Sequence, residues 1–77
     1  MLANQLKQGE SGTITKISAD KALRDRFTSF GIVQGEEITL KRYSLAKQTL
    51  EVEISASLVV LRTNEAEKIE IEREEKK

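Results

Sequence analysis

Between Arg26 and Ile38 the spacing of apolar residues changes its period, and no other feature limits the fold as much. Upstream of the switch, Leu23, Phe27 and Phe30 fall at i, i+4 and i+7, one stripe along a helix. Asp20 stands where an N-cap carboxylate would accept a backbone N–H. Gly31 is placed to close the helix in the left-handed conformation. The expected helix runs from about Lys21 to Ser29, with Arg24, Asp25 and Thr28 outside and Lys21–Asp25 as an opposite-sign i, i+4 pair. Burying the two Phe rings, at roughly 2 kcal/mol each, would supply most of its stability. Past Gly35 the period becomes two: Ile38 and Leu40 alternate with Glu37, Thr39 and Lys41, as in a half-buried strand. The joining segment, Gly31-Ile32-Val33-Gln34-Gly35, lacks the Gly-Lys-Ser/Thr of a phosphate loop. It reads as a helix cap followed by a turn.

The rest of the chain fits around that switch. Leu2 and Leu6, spaced i to i+4, suit a single helical turn or a lid over one end of a barrel. Gly9-Glu10-Ser11-Gly12 reads as a turn and Thr13–Ser18 as a β-branched strand. Ile14 and Ile17 are out of period-two phase, so a bend or bulge is expected there. A loop from Tyr43 to Gln48 leads to the clearest strand, where Leu50, Val52 and Ile54 alternate with Glu51 and Glu53. Ser55-Ala56-Ser57 is a tight turn. Leu58-Val59-Val60-Leu61 is an unbroken apolar run, expected as a central strand buried on both faces. Thr63 to Lys68 reads as a short helical turn with Thr63 as its cap, and Ile69 with Ile71 as a last strand. The expected fold is mostly β: one domain over residues 1–72, a small barrel of about five strands with one helix between strands 1 and 2. Arg73–Lys77 would be a charged, solvated tail.

Composition narrows the chemistry. The 77 residues hold no His and no Cys, so the commonest general base, the thiolate nucleophile and the usual zinc ligands are all missing. No nucleophile–base pair stands out, no catalytic residue is assigned and no cofactor is expected. Thirteen basic and thirteen acidic residues cancel, which argues against nucleic acid, whose phosphates need a concentrated positive field. A small-barrel nucleic-acid binder stays open as an alternative, although only Phe27, Phe30 and Tyr43 could stack on bases. No apolar run approaches the ~20 residues that span a bilayer, and the N-terminus lacks the pattern of a signal peptide. Cytoplasmic residence without membrane insertion is expected.

Few positions invite a functional reading. Arg26 and Arg62 could grip an anion on a partner. The simpler expectation is structural: Arg26 covers the edge of the helix stripe with its aliphatic stem, and Arg62 bonds Glu65 or nearby carbonyls. Glu51 and Glu53 share a strand face and could meet a hard cation, but alternation alone explains them, and no metal ligand is assigned. Tyr43 and Leu45 differ, being apolar residues in a short loop where polar ones are expected. Exposed, such residues mark a protein contact. The candidate partner-binding residues are Tyr43, Ser44, Leu45 and Ala46, with Lys41, Arg42 and Lys47 as a polar rim steering an acidic surface.

Three stretches, taken in order, resemble the FeoA family, small cytosolic accessory proteins of bacterial ferrous-iron uptake. They are Leu6 with Gly9 and Gly12, the run from Arg26 to Ile38, and Leu61-Arg62-Thr63-Asn64-Glu65-Ala66-Glu67-Lys68-Ile69. The same fold is similar to the SH3-like C-terminal domain of iron- and manganese-dependent repressors. The chain departs from the family in the loop from Tyr43 to Gln48, which has no Pro, and in the next turn, which carries Ala56 and Ser57 in place of Gly. The resemblance implies an SH3-like barrel, an iron-transport role linked to transition-metal handling, and a protein partner. That partner would be the cytosolic GTPase region of a membrane ferrous-iron transporter. A stand-alone regulatory domain related to the repressors is the other reading it implies.

Overall fold

A computed structural model describes residues 1–74. A 3-10 turn at Ala3–Gln5 leads into β1 (Ser11–Ile17), α1 (Lys21–Ser29), β2 (Glu37–Tyr43), β3 (Thr49–Ile54), β4 (Ser57–Arg62), the short α2 (Thr63–Ala66) and β5 (Ile69–Arg73). The strands form one antiparallel sheet in the order β4-β3-β2-β1-β5, with α1 inserted between β1 and β2, as expected. The sheet curls around one core in which every strand takes part. Phe27, Ile14, Ile38, Leu40, Leu50, Val52, Ile54, Leu61 and Ile69 are all buried there, and Leu6 closes one end.

Local chemistry explains the elements. The Asp20 carboxylate accepts the Leu23 N–H at 2.9 Å and starts α1. The helix ends in a Schellman turn: Gly31 N–H donates to Thr28 O, and Ile32 N–H reaches back to Phe27 O. Gly31 has φ +83°, so its lack of a Cβ is what lets the chain reverse here. Phe27 and Ile32, now side by side, are both buried. Phe30 is not. It occupies the C-cap, 37% exposed, with the Arg26 guanidinium over its ring at 5.9 Å. The expected stripe therefore buries one Phe rather than two, because the cap turns the chain before Phe30 can reach the sheet.

Other expectations change as well. The bulge between Ile14 and Ile17 is present as a register shift against β5 between Ile14 and Lys16. Gly9 takes a positive φ, but Gly12 is a β1 residue. A Cβ on Gly12 would lie 2.9 Å from Ile71 Cδ1 and 3.0 Å from Glu72 O, so Gly is needed for the approach of β5. Only Ser55 and Ala56 form the β3–β4 turn, both with positive φ, which matches the twist of a two-residue hairpin. The run Leu58–Leu61 is not a central strand. It lies in β4 at the end of the sheet, with Val59 and Leu61 inward and Leu58 and Val60 about 60% and 61% exposed. Thr63 does not cap α2, since its hydroxyl donates to Lys47 O. Arg73 extends β5, paired with Glu10 at 2.9 Å, and Glu74 N–H donates to Ser11 O. The remainder of the expected tail, residues 75–77, lies outside the described residues.

Candidate functional site

The β2–β3 connection is shorter than the sequence suggests, because Tyr43 belongs to β2. The Ser44 N–H donates to Thr49 O, the Ser44 hydroxyl accepts the Thr49 N–H, and the Lys47 N–H donates to Ser44 O. Lys47 turns the chain with φ +56°, and its carbonyl is held by the Thr63 hydroxyl. A built turn thus presents Leu45 and Ala46 at its tip. Leu45 is fully exposed.

Tyr43 plays a different part. It is half-buried against the core, and its hydroxyl donates to Asn4 O at 2.8 Å and to Leu6 O at 2.6 Å. Burial, aided by the charge of Glu10, pushes its pKa above the ordinary tyrosine value. The side chain anchors the N-terminal turn to β2, leaving part of the ring beside a shallow groove that Arg42, Ser44, Thr49, Glu51 and Val60 also line. The Lys47 ammonium lies 5.5 Å from the Tyr43 ring centre.

The basic rim is present but already engaged. Arg42 pairs with Glu51 at 2.9 Å, and Lys41 approaches Glu53 at 3.8 Å. These pairs account for both strand carboxylates. Among the described residues, no three His, Cys, Asp or Glu side chains stand close enough to hold a metal ion. Lys41 and Arg42 are thus matched by Glu53 and Glu51, while the Lys47 ammonium faces the Tyr43 ring.

Arg26 and Arg62 meet at one carboxylate. Glu65 accepts both terminal nitrogens of Arg26, at 2.6 and 3.2 Å, and the backbone N–H of Arg62 at 3.0 Å. Burial alone would raise the Glu65 pKa, but these bonds outweigh it and hold the carboxyl below its ordinary value. The stem-covering role expected for Arg26 gives way to a two-pronged ion pair. Glu65 clips α1 to the start of α2 through Arg26, a pair the sequence reading did not foresee, while the Arg62–Glu65 bond it did name is made by the Arg62 backbone N–H. The Arg62-Thr63-Asn64-Glu65 spacing, in which a Glu three residues on reaches back to an N-cap N–H, signals the local bond but not the pair with Arg26. The cluster joins α1 to the start of α2.

With this geometry in hand, the similarities are specific. A family model described as the FeoA domain matches residues 1–73. A Campylobacter jejuni protein, provisionally named Fe(2+) transport protein A, is 37% identical over 71 residues, covering 92% of this chain and 96% of that protein. The zinc complex of Stenotrophomonas maltophilia FeoA is described as a prokaryotic SH3 domain protein and a candidate ferrous iron transport activating factor. It superposes with TM-score 0.82 at 22% identity, covering 94% of this chain and 89% of that one. A manganese-dependent transcriptional repressor shares the fold with TM-score 0.87 at 23% identity, over 94% of this chain and 40% of the repressor. No helix among the described residues is long and apolar enough to cross a membrane.

Proposed function

This chain belongs to the FeoA family, and on that footing we propose that it is a non-catalytic, cytoplasmic accessory of ferrous-iron uptake. It acts by docking on the cytosolic GTPase region of a membrane iron transporter and modulating its turnover. The contact is the β2–β3 turn, with Leu45 as the apolar anchor and Ser44, Ala46 and the exposed part of Tyr43 around it. Lys41, Arg42 and Lys47 form the rim. The observation that carries this reading is the fully exposed Leu45 on a turn pinned by Ser44, Lys47 and Thr63. A rigid turn loses little entropy on docking, so the buried leucine returns most of its hydrophobic gain.

Iron is cargo of the transporter, and a modulating module needs a surface rather than a reactive pair. The likeness to the repressor, below 25% identity, is one of fold. It supports the view that this barrel serves as a binding module in more than one setting. The test is Leu45→Ser, measured for affinity to the transporter's GTPase domain by calorimetry. Affinity should fall about tenfold or more, since a buried Leu contributes roughly 1.5–3 kcal/mol. The melting temperature should not move, because Leu45 touches nothing inside the fold. Unchanged affinity would move the contact elsewhere.

A further inference from the structure

The two ends of the sheet are treated differently. Outside β5 lies the N-terminal segment: the Met1 ammonium donates to Ile71 O, Ile71 N–H donates to Met1 O, and Leu2 bridges to Glu70. That edge also carries Glu70, Glu72 and Arg73. A covered, charged edge resists pairing with another chain. The β4 edge pairs with no further strand and carries no charge from Ser57 to Leu61.

The β3–β4 register fixes which β4 groups are free. A two-residue hairpin makes Ile54 and Ser57 a hydrogen-bonded pair, so Val52–Val59 and Leu50–Leu61 are bonded too. The Thr63 N–H donating to Gln48 O continues the same phase. The N–H and C=O groups of Leu58 and Val60 therefore point away from β3, out of the sheet. The N–H of Arg62, next in that series, is taken by Glu65. The residues with outward backbone groups are also those with exposed apolar side chains.

We infer that β4 is a self-pairing edge: two copies of this chain join β4 to β4 antiparallel about a two-fold axis at Val59. Three observations choose a second copy over another partner. First, this register sets Leu58 opposite Val60 of the second copy, so each outward donor meets an acceptor twice over. Second, it places Leu58 and Val60 of both copies side by side on one face as cross-strand apolar pairs. Third, the two ends of β4 differ in charge. The hairpin end borders a concavity lined by Glu36, Glu37 and Glu53, while the other end carries exposed Arg62 beside Lys47. Antiparallel pairing brings Arg62 of each copy alongside Ala56 of the other, at that acidic concavity. No like charges are set opposite one another along the strand. The join is small, so it is a weak, concentration-dependent dimer. It borders the β2–β3 contact, since Val60 also lines the groove beside Tyr43 and Lys47 belongs to the rim.

The test is sedimentation equilibrium of the full chain across a concentration series, with backbone amide shifts recorded in parallel. The expected mass rises from 8.7 kDa toward twice that value at high micromolar protein, with shifts centred on Leu58–Val60. Val60→Lys puts a charge on the edge at an exposed site and should hold the protein at monomer mass with an unchanged melting temperature. Arg62→Glu should weaken association through repulsion at the acidic concavity. A constant monomer mass through the series overturns the inference. So does a dimer that Val60→Lys leaves intact, or one whose shifts fall elsewhere. Shifts at Leu58 and Val60 that appear only with the transporter fragment would assign the edge to that partner's strand and refute self-pairing.

Discussion

Replacing Glu65 by Ala should destabilise the fold by about 2 kcal/mol, more than a surface glutamate ordinarily contributes. The side chain, only 14% exposed, makes three bonds that no other group replaces. Losing the bond from the Arg62 N–H leaves that donor unpaired at the start of α2, a cost of about 1 kcal/mol. Losing the two-pronged pair with Arg26 removes about 1 kcal/mol more, discounted because Arg26 is half in solvent. In a domain of this size 2 kcal/mol lowers the melting temperature by roughly 8–16 °C. Arg26→Ala keeps the capping bond and should cost about half as much. The double mutant should show a coupling of about 1 kcal/mol. The acid dependence follows from the depressed Glu65 carboxyl. Its stabilisation is fully present above the ordinary value of 4.5 and is lost as pH falls through the lower folded-state value. Thermal unfolding of wild type, Glu65→Gln and both alanine variants from neutral pH downward reads all of this. The gap between wild type and Glu65→Gln should close in acid. Additive single-mutant effects, or a gap that stays constant through acid, would refute the clip.

Other consequences can be checked on the same material. Phe27→Ala should cost about 3–5 kcal/mol, because the ring is fully buried beneath the Schellman turn. A near-native denaturation midpoint would contradict that packing. Tyr43→Phe should cost about 1 kcal/mol by orphaning the Asn4 and Leu6 carbonyls, and exchange of N-terminal amides should quicken. An unaltered exchange pattern would mean that the hydroxyl holds nothing in place.

Where local chemistry decides the outcome, the sequence was readable. Asp20, the Leu23–Phe27 spacing and Gly31 together define α1, and each acts through its own neighbours. The alternation of Leu50, Val52 and Ile54 survives as a buried face because that face turns into the core shared with Phe27, Ile38 and Leu61. Long-range facts were not readable. An apolar run such as Leu58–Leu61 has the same composition at a sheet's centre and at its edge. Only strand order leaves Leu58 and Val60 in water. Phe30 fitted the helical stripe, but a cap that begins one residue earlier turns it out over Arg26. Tyr43 read as a loop aromatic because nothing local announces that Asn4 and Leu6 will come within reach of its hydroxyl. The exposure of Leu45 was the part of the candidate site that sequence reasoning could suggest. The pairing of Arg42 and Lys41 with the β3 carboxylates depends on register.

The docking proposal rests on one surface, and one titration addresses it directly. Isotope-labelled protein is mixed with the purified cytosolic GTPase domain of its own organism's iron transporter, and backbone amide shifts are followed. The account predicts shifts confined to residues 43–48 and the adjoining ends of β2 and β3, lost in Leu45→Ser. An unchanged spectrum at high micromolar partner, or shifts on the α1 side with the β2–β3 turn silent, would contradict it.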